Sequence, residues 1–328
     1  MLTLADYAKL NNDLIVADIY DWLAKENGGV LARLAINELK ANGAKYNVKT
    51  KRATVSFQDP MDDIPETMPT FVQRSASLYV AVIDAYLSKF AAATNKLQNT
   101  DSVMLKSTTD DFIAAIYEKM ILGQTTTVGN TKQPKGILQL LAEIESESAT
   151  DLDSANNSQV IAGTATSGAL TTAKMDELID AVNGCNLLLM SKRTRRKVNA
   201  LMRASGSIVR EYKDEFGMYP ETYNNVPIAV IDYIPDNIQD GSASVINIAA
   251  FNPSTTRASG YDNSVMIALR AKDEAGFAIN QAEALNREFV GASQKKDADI
   301  HRFKWYHGYG LYDKHAAAVL INFNPDDT

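Results

Sequence analysis

The chain is poor in the residues that carry covalent and metal chemistry: its 328 residues include one cysteine and three histidines. A lone cysteine, Cys185, excludes an intrachain disulfide and a thiolate-bound metal cluster. It lies in AVNGCNLLLM, ahead of an apolar run, and reads as a small buried hydrophobe. No stretch approaches the roughly 20 uninterrupted apolar residues needed to cross a bilayer. MLTLADYAKLNND lacks a basic segment followed by an apolar one, so the chain is read as soluble and cytoplasmic at synthesis. An excess of positive charge is also missing, since 33 Lys and Arg stand against 40 Asp and Glu, a net −7. That balance disfavours a protein whose main task is gripping phosphates, although it leaves room for a local basic face.

Motifs of catalysis are absent too: there is no G-x-S-x-G elbow, no P-loop and no H-E-x-x-H. His301, His307 and His315 cluster near the end of the chain. A metal site would need His301 and His307 on one face of an unbroken strand, which Gly308 and Gly310 argue against, and no acidic third ligand has a telling spacing. The three are read as strand-surface histidines. The acidic pairs Asp62/Asp63 and Asp110/Asp111 are consecutive, so their side chains diverge, which suits a solvated face or a helix N-terminus. No catalytic residue, metal site or cofactor is assigned.

What is present is a chain with 45% hydrophobic residues, enough for a substantial core and a length that suggests about two domains. Leu14, Ile15, Ile19, Trp22 and Leu23 recur at helical spacing up to a stop at Asn27, Gly28 and Gly29, and VLARLAINELK predicts a further helix with Leu31, Leu34, Ala35 and Leu39 on its stripe. From Lys45 the period becomes two, through Tyr46, Val48 and Thr50 and again over Thr54 to Phe57, which predicts strands. DPMDDIPETMP, with Pro60, Pro65 and Pro69 among four carboxylates, reads as the loop end of a projecting hairpin. SLYVAVIDAYLSKF fits either strand or helix. Phe112, Ile113, Ile116, Tyr117, Met120 and Ile121 form one stripe of a long helix over about 101–122, with Ser107 and Asp110 as a capping box and Gly123 as its stop.

Beyond it, GQTTTVGNTKQPKGIL and the polar stretch 143–168 read as loops. Helix TTAKMDELIDAV, strand NLLLMS, helix KRTRRKVNALMRAS and strands VPIAVIDYIP and VINIAAF suggest an α/β or α+β domain with its own core. The run Lys192, Arg193, Arg195, Arg196 and Lys197 is the strongest charge feature; it is either a solvated helix face or a contact for DNA phosphates or a neighbouring acidic surface. DIHRFKWYHGYGLYDKHAAAVLINF closes the chain in strand-like sequence.

The order of these segments resembles the tailed-bacteriophage major capsid family of the Hong Kong 97 fold. The resemblance rests on TLADYAKLNNDLIVADIYDWLAKEN, the pair KYNVKTKRATVSF with the acidic loop containing Ile64 to Glu66, the long helix followed by QPKGIL, LLLMSKRTRRKVNAL, NVPIAVIDYIP and the aromatic, glycine-bearing close. Asn225 stands where the family usually has glycine. The resemblance implies an α+β fold with an N-terminal arm at 1–42, an extended loop at 43–78, a peripheral domain with its spine helix at 79–135, an axial domain at 136–272, a peripheral return at 273–307 and an axial end at 308–328. It implies a shell of hexamers and pentamers around phage double-stranded DNA, with a portal protein and a scaffolding protein as further partners and no membrane. Pro60, Asp62, Asp63, Pro65, Glu66 and Pro69 are expected to contact a neighbouring subunit. Encapsulin-type compartments share this fold, and a soluble hydrolase using His301 or His307 is the reading from another class.

Overall fold

A computed structural model of the chain describes residues 29–40, 42–51, 53–60, 62–94, 100–125, 132–146, 159–163, 168–205, 210–211, 221–236, 238, 262–273 and 275–327. The helices expected before Gly29 and the strand expected at VINIAAF lie outside these residues.

The first described element corrects an expectation. Only Val30–Arg33 is helical (α1); Leu34 turns to extended backbone and Ala35–Glu38 form a strand, β1, parallel to the long β11 (Phe277–Ala292). An open sheet edge offered this short segment a full set of backbone partners, and tertiary context overrode a weak helical pattern. Val30, Leu31, Leu34 and Ile36 are nonetheless buried, as their apolar character requires.

β2 (Gly43–Lys51) and β3 (Thr70–Ser77) make an antiparallel hairpin, from Gly43 opposite Ser77 to Lys51 opposite Thr70. The strand predicted over Thr54 to Phe57 does not form: the backbone ladder ends at Lys51 and Thr70, and the Thr54 carbonyl accepts from the Thr67 hydroxyl at 2.9 Å in place of a backbone N–H. The ambiguous stretch after the hairpin is strand, β4 (Tyr79–Ser88), whose Val80, Val82 and Tyr86 are exposed while Ala85 and Leu87 are buried. It pairs along its length with β12 (Ala298–Leu311), giving a four-stranded sheet in the order β1-β11-β12-β4. β12 runs unbroken through Gly308 and Gly310, so the expected boundary at 307/308 falls inside a strand. Gly308 is demanded by close approach: a Cβ there would lie 2.3 Å from the Ser77 carbonyl oxygen.

α2 (Lys89–Thr94) leads to the long helix α3 (Thr100–Leu122). The expected cap at Ser107 and Asp110 falls inside it; here the hydroxyls of Thr108 and Thr109 return hydrogen bonds to the carbonyls of Met104 and Leu105. All six stripe residues from Phe112 to Ile121 are buried. Gly123 N–H donates to Lys119 at the helix end, and its own carbonyl accepts from Gly136 N–H, 2.9 Å away in both cases. A Cβ on either glycine would strike backbone within 2.2–2.6 Å, so the pair lets α4 (Ile137–Ser146) start directly against the end of α3. The polar stretch read as a loop from 143 therefore begins inside a helix, and it also holds β5 (Val160–Ala162).

Among the described residues the second sheet has seven strands in the order β5, β13 (Ala317–Phe323), β10 (Ser264–Leu269), β6 (Leu187–Met190), β9 (Val226–Val230), β8 (Glu221–Tyr223) and β7 (Arg210–Glu211). Strands buried on both faces read as continuous apolar runs, which is why β6, β10 and β13 show no alternation. Leu188, Met190, Met266 and Leu320 pack on one side with α5 (Thr172–Asp180) and α6 (Lys192–Ala204). The Thr171 and Ser191 side chains cap these helices. Leu187, Leu189, Ile267 and Val319 face the other way and join the cluster that holds α1, α3, α4 and the four-stranded sheet. The middle region thus has a core cluster of its own on the α5/α6 side of the sheet, and through the other side it shares a second cluster with the rest of the chain.

Candidate shell-contact surfaces

The hairpin is anchored at its base and free at its tip. Tyr46 packs on Tyr312 with ring centroids 4.7 Å apart, and burial pushes its phenol up to about 12. At the tip, Asp59 and Asp62 close a turn around Pro60: Asp62 N–H donates to the Asp59 carbonyl at 3.0 Å, and Asp59 N–H donates to Asp62 Oδ2 at 3.2 Å. Pro60, Asp62, Asp63, Pro65, Glu66 and Pro69 are all exposed. So are Val55 (77%), Phe57 (97%), Ile64 (88%) and Met68 (83%). Reading the segment for its prolines and charges missed these four; Val55 and Phe57 lie in the stretch predicted as strand, and the signal for Ile64 and Met68 was large apolar residues inside a proline-rich loop that can bury little of its own surface. A tip that combines apolar and acidic side chains on an unsupported two-stranded ribbon is suited to burial against another surface.

A groove of about 280 Å³ lies between α3 and β4. Tyr79, Val82, Phe112 and Ile116 are among its walls, Lys119 and Lys132 also line it, and so does His307. Across the four-stranded sheet, Arg302 holds Asp84 with two hydrogen bonds of 2.6 and 2.8 Å, and Lys304 bonds Glu288. The hydrogen bonds from these cations hold both carboxyls below the usual carboxylate range.

The basic run on α6 does not present one outward face. Arg193 is buried, donating to Asp326, Asn324 and the carbonyls of Asp236 and Asp262, so it cannot reach a partner. Lys192 pairs with Asp232 at 2.7 Å, and Lys197 donates to the Asp327 carbonyl. Arg196 is exposed and Arg195 half-buried.

The histidines are not surface residues as a group. His307 and His315 are buried, and only His301, beside the Phe289 ring, is partly exposed. His315 Nδ1 lies 3.1 Å from the Gln159 side-chain amide. Among the described residues no group of three or more His, Cys, Asp or Glu is placed to hold a metal ion. Cys185 is partly buried, packs against the second core cluster and has its thiol pushed up by burial. Among the described residues no helix is long and apolar enough to cross a membrane.

Two sheets sharing one core, a long helix and a projecting hairpin define a mixed α+β fold similar to those of shell-forming proteins. The encapsulin complex of Synechococcus elongatus is similar with a TM-score of 0.60 and 14% identity, over 94% of this chain and 89% of that one. The capsid of a native GTA particle is similar with a TM-score of 0.58 and 13% identity, over 90% of each chain. A chain of Mycobacterium phage Bobi follows with a TM-score of 0.57 and 11% identity, over 93% and 92%. No curated protein matches the sequence. The sequence matches the phage capsid family over residues 16–287, and the chain belongs to that family. It is a major capsid protein, a structural subunit that associates with copies of itself in the capsid of a virion.

Proposed function

We propose that the chain assembles as hexamers and pentamers into an icosahedral shell around phage double-stranded DNA, and that it has no catalytic role. The exposed hairpin tip carries this reading. Four large apolar side chains stand in water beside Pro60, Asp62, Asp63, Pro65, Glu66 and Pro69, and an adjacent subunit would cover them. Many modest contacts of this kind, repeated through a closed lattice, hold a shell without any single tight interface. The carboxylates of the tip suit a basic patch on the neighbour. On α6, Lys192, Arg195, Arg196 and Lys197 remain candidates for subunit or DNA contact. In this reading residues 1–42 form an arm, 79–135 and 273–307 a peripheral domain and 136–272 with 308–328 an axial domain. A scaffolding protein and a portal protein complete the assembly, and synthesis takes place in the cytoplasm of the host bacterium.

The likeness to an encapsulin complex supports a second reading, a compartment shell. Neighbouring genes separate the two: portal and terminase genes indicate a virion, and a peroxidase or ferritin-like gene indicates a compartment. Negative-stain electron microscopy of the purified chain, alone and with its scaffold, tests the shared claim. Closed shells or capsomers are expected; a chain that stays monomeric at high concentration with scaffold present overturns it.

A further inference from the structure

Trp305, His307 and Tyr309 lie on one face of β12, as alternate residues of a strand must. The His307 ring stacks on Trp305 with centroids 4.4 Å apart and planes 19° from parallel, and it meets the Tyr309 ring at 5.5 Å. It is 2% exposed, and neither ring nitrogen makes a hydrogen bond to a side chain. The same residue lines the groove between α3 and β4, so this buried ring borders a cleft open to solvent. The titratable and charged groups sharing that groove are Asp111 and Lys119 of α3, Lys132 of the turn beyond it and Tyr79 of β4. On the β11 side the register partner is neutral Gln281, already engaged by Trp305 Nε1 at 3.1 Å. Asp111 is the one anion of the set, and it is exposed on α3.

We propose that His307 is an acid-operated latch on the joint between α3 and the four-stranded sheet. Neutral, the imidazole is one more plate in an aromatic stack beneath the helix. Charged, it is a buried cation without a side-chain acceptor, and relief requires the ring to move out through the groove, which parts α3 from β4. Burial lowers its pKa from 6.5 to about 4, with the Trp305 backbone pulling weakly the other way. An opened joint binds the proton near the ordinary value and a closed joint only near the lowered one. Falling pH therefore favours opening inside the window from 6.5 to about 4, by at most about tenfold per pH unit, and has no effect through this group above it.

The chain has two tryptophans, so Trp22→Phe leaves Trp305, the stacking partner, as the sole fluorescent reporter. Its emission is followed on the unassembled chain from about pH 7.5 to about pH 3.5, in the parent and with His307→Gln or His307→Phe, and with His301→Gln as control. A transition inside the window is expected in the parent and the control, displaced to lower pH or lost in both His307 variants. An unchanged midpoint in those variants overturns the latch. Should neither fold, proton NMR of the parent decides: an imidazole that stays neutral until α3 amides begin to exchange supports the latch, and one that titrates near its ordinary value with α3 still protected overturns it. The readout is taken on single chains, so failure here leaves the shell reading untouched.

Discussion

Arg193 on α6 donates from Nη2 to Asn324 Oδ1, 2.7 Å away in the interior. The same guanidinium reaches the Asp326 carboxylate and the carbonyls of Asp236 and Asp262. One side chain thereby joins α6, the segment that follows β9, the residues just before β10 and the chain beyond β13. Five planar donors suit this multiple attachment, which a lysine could not reproduce.

Arg193→Ala is expected to cost about 2–4 kcal/mol, since it removes several hydrogen bonds from a buried guanidinium to buried and half-buried acceptors at once. Arg196→Ala, on the exposed face of the same helix, should stay within about 0.5 kcal/mol. Denaturant melts of the unassembled variants test this, and equal effects at the two positions would contradict the brace.

Ile116→Asp places a carboxylate on the buried face of α3, where Ile116 is 2% exposed. A cost of several kcal/mol is expected, on the order of the chain's whole stability, with insoluble protein as the outcome. Soluble protein with parental melting would show that this face is not packed.

Deletion of residues 61–68, bridged by a short Gly/Ser linker, removes an exposed tip and leaves the β2–β3 ladder in place. Melting of the single chain is expected to change little, because little apolar surface is buried there, while shell yield falls. Intact shells, or a chain that no longer folds, would remove the tip from assembly.

Arg302→Ala removes the partner that depresses the Asp84 carboxyl. A carboxylate whose folded pKa is depressed contributes stability above its unfolded value and loses it as pH falls through the folded value. The parent's advantage over Arg302→Ala should thus be full at neutral pH and shrink below the ordinary value of 3.8. Both groups are partly solvated, so the advantage is small. A gap between the two melting curves that is unchanged by acid would contradict the pairing.

The sequence by itself determined the elements whose periodicity is strong. The α3 stripe from Phe112 to Ile121, the capped helices α5 and α6, the apolar strands β6 and β13 and the hairpin with its proline-rich end all follow from local spacing and turn chemistry. Tertiary structure decided the rest, because spacing defines a face without naming what covers it. Ala35 to Glu38 became strand because β11, some 240 residues away, offered an edge, and β12 continues through two glycines because β11 stays paired with it there, Asn280 opposite Gly308 and Ala278 opposite Gly310. His307 and Arg193 carry polar labels in the sequence and lie inside, one under α3 and one against the C-terminal segment, while Phe57 and Ile64 carry apolar labels and stand in water. A residue's chemistry sets what its surroundings must supply; only the assembled chain, through pairings between distant segments, determines whether they do.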